Sequence, residues 1–212
     1  MTETQKREQM AWFARSIFER GLTYGSTGNI SVRLDDGWLM TPTGSSMGAI
    51  DPARISRLAA DGTLLSGDPP TKEAFLHMAM YGERPRTSAV VHLHSTHSVV
   101  VSCLCGLDYA NVLPALTAYQ VMRVGKLPLI PYFPPGDKEL AEAVRKIAGR
   151  HHCMLLANHG PVVAGRSLEE AVHTTEELEE SARLYLLLRG HNYRPLNTEQ
   201  VSELEARFPA KC

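Results

Sequence analysis

A chain of 212 residues with a formal net charge of −1, 43% hydrophobic and 21% charged residues, has the make-up of one sizeable globular domain and is short for two. Its basic side chains are scattered and no base-stacking aromatic set sits on a basic strand, which argues against nucleic acid or an anionic membrane surface as a partner. No stretch approaches the roughly 20 apolar residues of a bilayer span, and the polar opening MTETQKREQ lacks the apolar core of a signal peptide, so a soluble, cytoplasmic protein is expected.

Residues 5–20 place Met10, Phe13, Ile17 and Phe18 at helical spacing, and Gly21 closes the run. The glycine-rich loop Gly25-Ser-Thr-Gly-Asn29 leads into ISVRL, which reads as a strand. Asp35-Asp36-Gly37 is a hairpin signal with WLMT as the returning strand, and Thr41-Pro-Thr-Gly44 is a second turn. A third strand is expected around 55–59, before the turn Asp61-Gly62. After Pro69-Pro70, TKEAFLHMAMYG reads as a helix beginning at Thr71. SAVVHLHS is β-branched and reads as a buried strand, and HSVVVSCL opens another helix. The stretch from Leu107 to Pro135 is rich in Pro and Gly and yields no element. Residues 137–150 read as a helix, CMLLANHG as a strand and VVAG as another. The longest helix is SLEEAVHTTEELEESARLYLLLRG, with Leu168, Ala171, Val172, Thr175, Leu178 and Ala182 as its buried stripe. A polar, partly helical tail follows Gly190, from about residue 191. Without repeats, low-complexity tracts or a linker, residues 1–212 are expected to form one α/β domain. The four cysteines (Cys103, Cys105, Cys153 and Cys212) show no paired framework and are expected to be buried, reduced thiols.

Three histidines carry the first chemical signal. Residues i and i+2 of a strand leave the same face, so His92 and His94 project together, about 7 Å apart along the chain. Two ordinary strand histidines would look the same locally; Asn158-His159-Gly160, at the end of the apolar strand CMLLAN, supplies a third candidate ligand. Three protein ligands with an open fourth position define a catalytic zinc site, and no cysteine has zinc-finger spacing. Glu73, in the first turn of the helix that Thr71 would cap, is the candidate acid/base, in a place the helix dipole also favours for any carboxylate. His77 lies on the same face and, as a single helical histidine, is read as core or surface and kept outside the site. The turns Gly25–Asn29 and Thr41–Gly44, with Thr71 and Lys72, offer amides, hydroxyls and a cation that suit a phosphate, although no Walker or dinucleotide fingerprint is present.

Taken together, GSTGNISVR, the TPTG turn, PPTKEAFLHMAMY, AVVHLHSTHS and LLANHGPVVAG followed by the long helix resemble the class II aldolase/adducin family, in the family's order and over almost the whole chain. The resemblance implies a three-layer α/β/α domain around a mainly antiparallel sheet, a homotetramer, and active sites near subunit contacts. By position, His92, His94 and His159 look like ligands of one Zn2+ per subunit, with another divalent cation as the alternative. Glu73 looks like the residue that approaches the metal and moves protons. Gly28, Asn29, Thr43, Gly44, Thr71 and Lys72 fall where the family binds substrate phosphate, and Tyr119 in PALTAYQV is similar in position to the proton-donating tyrosine of the fuculose-phosphate aldolase branch.

Two departures narrow the choice of branch. Thr71-Lys72 stands where aldolases commonly have two serines, and Ala118 stands where the pentulose-phosphate 4-epimerases have an aspartate. Overall the chain most resembles the 3-oxo-tetronate 4-phosphate decarboxylase branch of sugar-acid catabolism. That likeness implies a lyase that releases CO2 and dihydroxyacetone phosphate through an enediolate at the metal. A class II aldolase acting on a sugar phosphate such as fuculose 1-phosphate, and a non-catalytic adducin-like scaffold, are the alternatives.

Overall fold

The computed structural model describes residues 1–134 and 136–208. Thr2 accepts the Gln5 amide and the Gln5 side chain accepts the Thr2 amide, a capping box that starts α1 (Glu3–Glu19). Strand β1 (Asn29–Leu34) turns at Asp35-Asp36 into β2 (Gly37–Met40), with Leu34 opposite Gly37. Two short 3-10 turns, Met47–Ala49 and Pro52–Arg54, lead to β3 (Ser56–Ala59) and β4 (Leu64–Ser66). There follow α2 (Ala74–Glu83), β5 (Ala89–His92), α3 (Thr96–Ser102), α4 (Ala118–Arg123), β6 (Leu129–Ile130), α5 (Lys138–Ala148), β7 (Cys153–Leu156), β8 (Gly160–Gly165), α6 (Leu168–Leu188) and α7 (Thr198–Arg207).

The strands form one eight-stranded sheet in the order β4-β3-β2-β1-β5-β8-β7-β6. Every pairing is antiparallel except β6 with β7. Side-chain alternation then builds the layers. Ala89 and Val91 of β5 pack with Met10, Phe13 and Ile17 of α1 and Leu168, Ala171 and Val172 of α6, while Val163 of β8 meets Leu178 and Ala182 further along α6. On the opposite face Val90, Met154 and Val162 meet Leu76 and Met80 of α2 and Leu140 and Val144 of α5. The expected three-layer α/β/α arrangement around a mainly antiparallel sheet is therefore what forms. Each such large apolar side chain taken fully out of water contributes about 1.5–3 kcal/mol, and both faces of β5, β7 and β8 are buried, which is why these strands are apolar without polar alternation.

Some expectations need correction. Helix α2 begins at Ala74 rather than Thr71, because Pro42 and Pro70 form an antiparallel bridge and the Thr71 amide donates to the Thr41 carbonyl at 3.2 Å. That pairing draws Thr71 out of the helix, so Glu73 takes the N-cap position instead of the first turn. The short elements β4, α4 and β6 were not anticipated, and β4 is exposed along its length. Cys153 is buried in β7, but Cys103 and Cys105 are exposed, because α3 ends at Ser102 and the chain turns outward there. Cys212 lies outside the described residues. The tail after Gly190 forms α7 behind an Asn197/Gln200 capping box and packs against α4 with no buried residue of its own.

Candidate metal centre

His92 ends β5 on the face that looks toward α2, directly opposite Asn29 of β1 and Val162 of β8. The chain runs on extended through the buried Leu93 to His94, then turns into α3. Glu179 of α6 fixes that turn: its carboxylate accepts the amides of His97 and Ser98 and the Ser98 hydroxyl, at 2.7 to 2.9 Å. His159 closes the β7–β8 turn, beside Asn158, whose φ of 56° is left-handed. Asn158 docks this turn on the end of α3, its amide donating to the Ser102 carbonyl and its side chain to the Cys103 sulfur, each at 3.3 Å. Glu73 reaches the same place from the start of α2, its own amide donating to the Thr71 hydroxyl at 3.2 Å.

These elements bring one ligand atom from each of Glu73, His92, His94 and His159 within 4.8 Å of one another. His94 Nε2 lies 3.2 Å from His92 Nε2, and the Glu73 carboxylate oxygens lie 3.2 Å from His159 Nε2 and 3.4 Å from His92 Nε2. The imidazoles stand edge to face, at 66° to 84°, with centroids 4.7 to 5.1 Å apart. His92 Nδ1 donates to the Pro161 carbonyl at 2.8 Å, so its Nε2 lone pair is the one turned into the cluster. Donors held tetrahedrally at about 2.0–2.1 Å from a zinc ion stand about 3.3 Å from one another. Three of the donor separations match that spacing, and the four residues form a set that could hold a metal ion.

Electrostatics agree with that use. Burial by itself raises the Glu73 carboxyl, but the surrounding His92, then His159 and Asn29, outweigh it and hold the group far below the usual carboxylate range. Burial, then the neighbouring charges of His92 and His159, lowers His94 to about 4, against a smaller opposing pull from Glu73. Both groups are thus kept in the deprotonated form that a cation requires.

The three loops that carry the phosphate candidates are tied together near the start of β1. Thr43 donates its amide to the Pro69 carbonyl, Thr71 is tied to Thr41, and the Thr41 hydroxyl accepts the Ile30 amide, so 28–29, 43–44 and 71–72 meet at the start of β1. Gly28 is needed there: a β-carbon would stand 3.0 Å from the Leu93 side chain and 3.1 Å from the His92 carbonyl. Lys72, Thr43 and Gly44 are exposed. The Asn29 side chain is instead committed inward, donating to Glu73 Oε2 at 2.8 Å. Tyr119 is not brought to the cluster: it lies on α4, 59% exposed, beside Arg123, His173 and Glu176. A cavity of about 880 Å3 lies elsewhere, between the ends of α2 and α5 and the start of α6, and none of the four cluster residues lines it.

His77, set outside the site on sequence grounds, is buried and bonded to both Ser31 and Asn29. Burial first, then the His92 charge, lowers it to about 3, so the ring is neutral. Its four-residue spacing from Glu73 was visible in the sequence, but its bonds to Ser31 and Asn29 of β1 were not.

The family of class II aldolase and adducin N-terminal domains matches residues 8–186. A 3-oxo-tetronate 4-phosphate decarboxylase of Escherichia coli K12 is 50% identical over 96% of this chain and 97% of its own. An L-fuculose phosphate aldolase of the same strain is 36% identical over 78% of this chain and 75% of its own. The crystal structure of Escherichia coli YgbL, described as a candidate aldolase/epimerase/decarboxylase, superposes with a TM-score of 0.93 at 49% identity, covering 95% of this chain and 98% of that one. The chain belongs to the class II aldolase and adducin family, among its decarboxylase and aldolase lyases.

Proposed function

We propose that this chain decarboxylates a 3-oxo-tetronate 4-phosphate to dihydroxyacetone phosphate and CO2. One observation carries the reading: Glu73, His92, His94 and His159 converge within 4.8 Å, at the end of the central strand β5 and beside the loop that enters β1. Relatives of that name at 45% to 50% identity over most of the chain support the substrate class. A Zn2+ ion, one per subunit, held by the three imidazoles with Glu73 alongside, would supply Lewis-acid polarisation of the C3 carbonyl and C2 hydroxyl.

The residues of the chain do the rest. The Gly28, Thr43–Gly44 and Thr71–Lys72 loops hold the C4 phosphate and so set the C2–C3 unit over the cluster. Asn29 contributes there through Glu73, which its side chain orients. The C1–C2 bond breaks, CO2 leaves, and the electron pair passes into a C2–C3 enediolate that takes a proton at C2. Glu73 relays that proton in this reading. Tyr119, outside its own cluster, serves only across a subunit contact, which the homotetramer inferred from the family supplies. A cytoplasmic location is part of the same reading, and among the described residues no helix is long and apolar enough to cross a membrane.

The test is product analysis on purified, zinc-loaded protein given 3-oxo-tetronate 4-phosphate. CO2 and dihydroxyacetone phosphate should appear in equal amounts. The 36% identical aldolase relative keeps a second reading in view: an aldehyde with dihydroxyacetone phosphate from a sugar phosphate, and no CO2, would move the chain to that branch. An intact ligand set argues against an adducin-like scaffold, which has no need of one.

A further inference from the structure

A directed chain of hydrogen bonds runs from the core to Glu73. Asn29 Nδ2 donates to Glu73 Oε2 at 2.8 Å, because a carboxylate can only accept. Its amide oxygen must then accept, so His77 carries its proton on Nε2 and gives it to Asn29 Oδ1. His77 Nδ1 is left as the acceptor and takes the Ser31 hydroxyl at 2.7 Å. Ser31 Oγ in turn accepts from the Tyr81 hydroxyl at 2.8 Å. Every donor has one acceptor, and His77 and Ser31 are fully buried, so no water competes for these bonds.

We infer that His77 is a positioning residue for the proposed reaction: through Asn29 it holds the Glu73 carboxylate in the orientation that meets the three histidines. Glu73 needs such a hold. It sits in an N-cap position without making a capping bond, and among the described residues its side chain is otherwise tied only to histidines of the same cluster. A neutral imidazole does this better than a charged group, because it fixes the carboxylate without neutralising it. Outer partners of this kind are worth about 10- to 100-fold in metal affinity or activity.

The inference rests on Glu73 being part of the metal site, so the experiment separates the two. In His77→Gln the amide nitrogen reaches the place of Nε2 and keeps the bond to Asn29. In His77→Asn the amide reaches only the place of Nδ1, so the Ser31 contact survives and the Asn29 bond is lost. Zinc affinity, measured by competition with a chromophoric chelator, should fall about 10- to 100-fold in H77N and stay near wild type in H77Q, with kcat following and KM little changed. In a Glu73→Gln background, H77N should cost no further zinc affinity. Equal behaviour of H77Q and H77N, or a full additional loss in the E73Q background, overturns the positioning role while leaving Glu73 in the site. An E73Q variant with wild-type zinc affinity and turnover overturns both. Should H77N fail to fold, Asn29→Ser breaks the same link with His77 in place: the same loss of affinity is expected, and wild-type affinity overturns the inference.

Discussion

The carbonyl oxygen of Leu93 lies 2.2 Å from where a β-carbon on residue 160 would stand. Gly160 therefore lets the β7–β8 turn close onto the segment between His92 and His94, which is how His159 comes to share their centre. Gly160→Ala forces these backbones apart. Overpacking of this kind costs about 1–3 kcal/mol, and the displacement falls between ligands. We expect a lowered melting temperature and a loss of zinc affinity together. A variant that is less stable yet binds zinc like wild type would show that the turn does not set the ligand spacing.

His94 can be removed with less harm to the fold. It lies beyond the end of β5, half-buried, and its ring contacts are with His92 and His159. His94→Ala should therefore leave the circular dichroism spectrum intact while abolishing stoichiometric zinc binding and turnover. Full zinc occupancy with an unchanged rate would sink the assignment of the ligand set.

Much of this was legible locally. The stripe of α6 and the capped start of α5 at Asp137 are near-neighbour patterns, and the His-x-His spacing together with a strand-end histidine pointed to the cluster before any contact was visible. What could not be read was long-range. The bond from the Asn29 side chain to Glu73 spans 44 positions. His77 looked bland because its partners are 46 and 48 positions back. The late start of α2 has the same cause, since Thr41 captures Thr71 by a tertiary bond that no propensity encodes. The exposed Cys103 and Cys105 depended on where α3 stops, and ends are the least determined feature of a helical pattern.

Withdrawing the metal tests the centre as a structural clasp. Its ligands come from the start of α2, the exit of β5 and the β7–β8 turn, so a bound cation ties three separate elements. Binding at a concentration of 100 times Kd stabilises the folded state by about 2.7 kcal/mol. Chelation should lower the melting temperature, and added Zn2+ should restore it in a concentration-dependent way. A melting temperature indifferent to both treatments would mean that no cation is held there.

Lys72 distinguishes the phosphate end of the site from the reacting end. It is exposed, between Thr71 and Glu73, so Lys72→Ala should leave stability unchanged. A hydrogen bond to a charged group is worth about 1.5–3 kcal/mol, so its loss should reduce kcat/KM by about tenfold to a hundredfold. If Lys72 grips the phosphate, that loss appears with the phosphorylated substrate and vanishes with the unphosphorylated 3-oxo acid. If it grips the departing carboxylate, both substrates suffer alike and the loss falls on kcat. Kinetics of the two substrates on wild type and K72A decide between these roles, and an unchanged kcat/KM for both would remove Lys72 from the site.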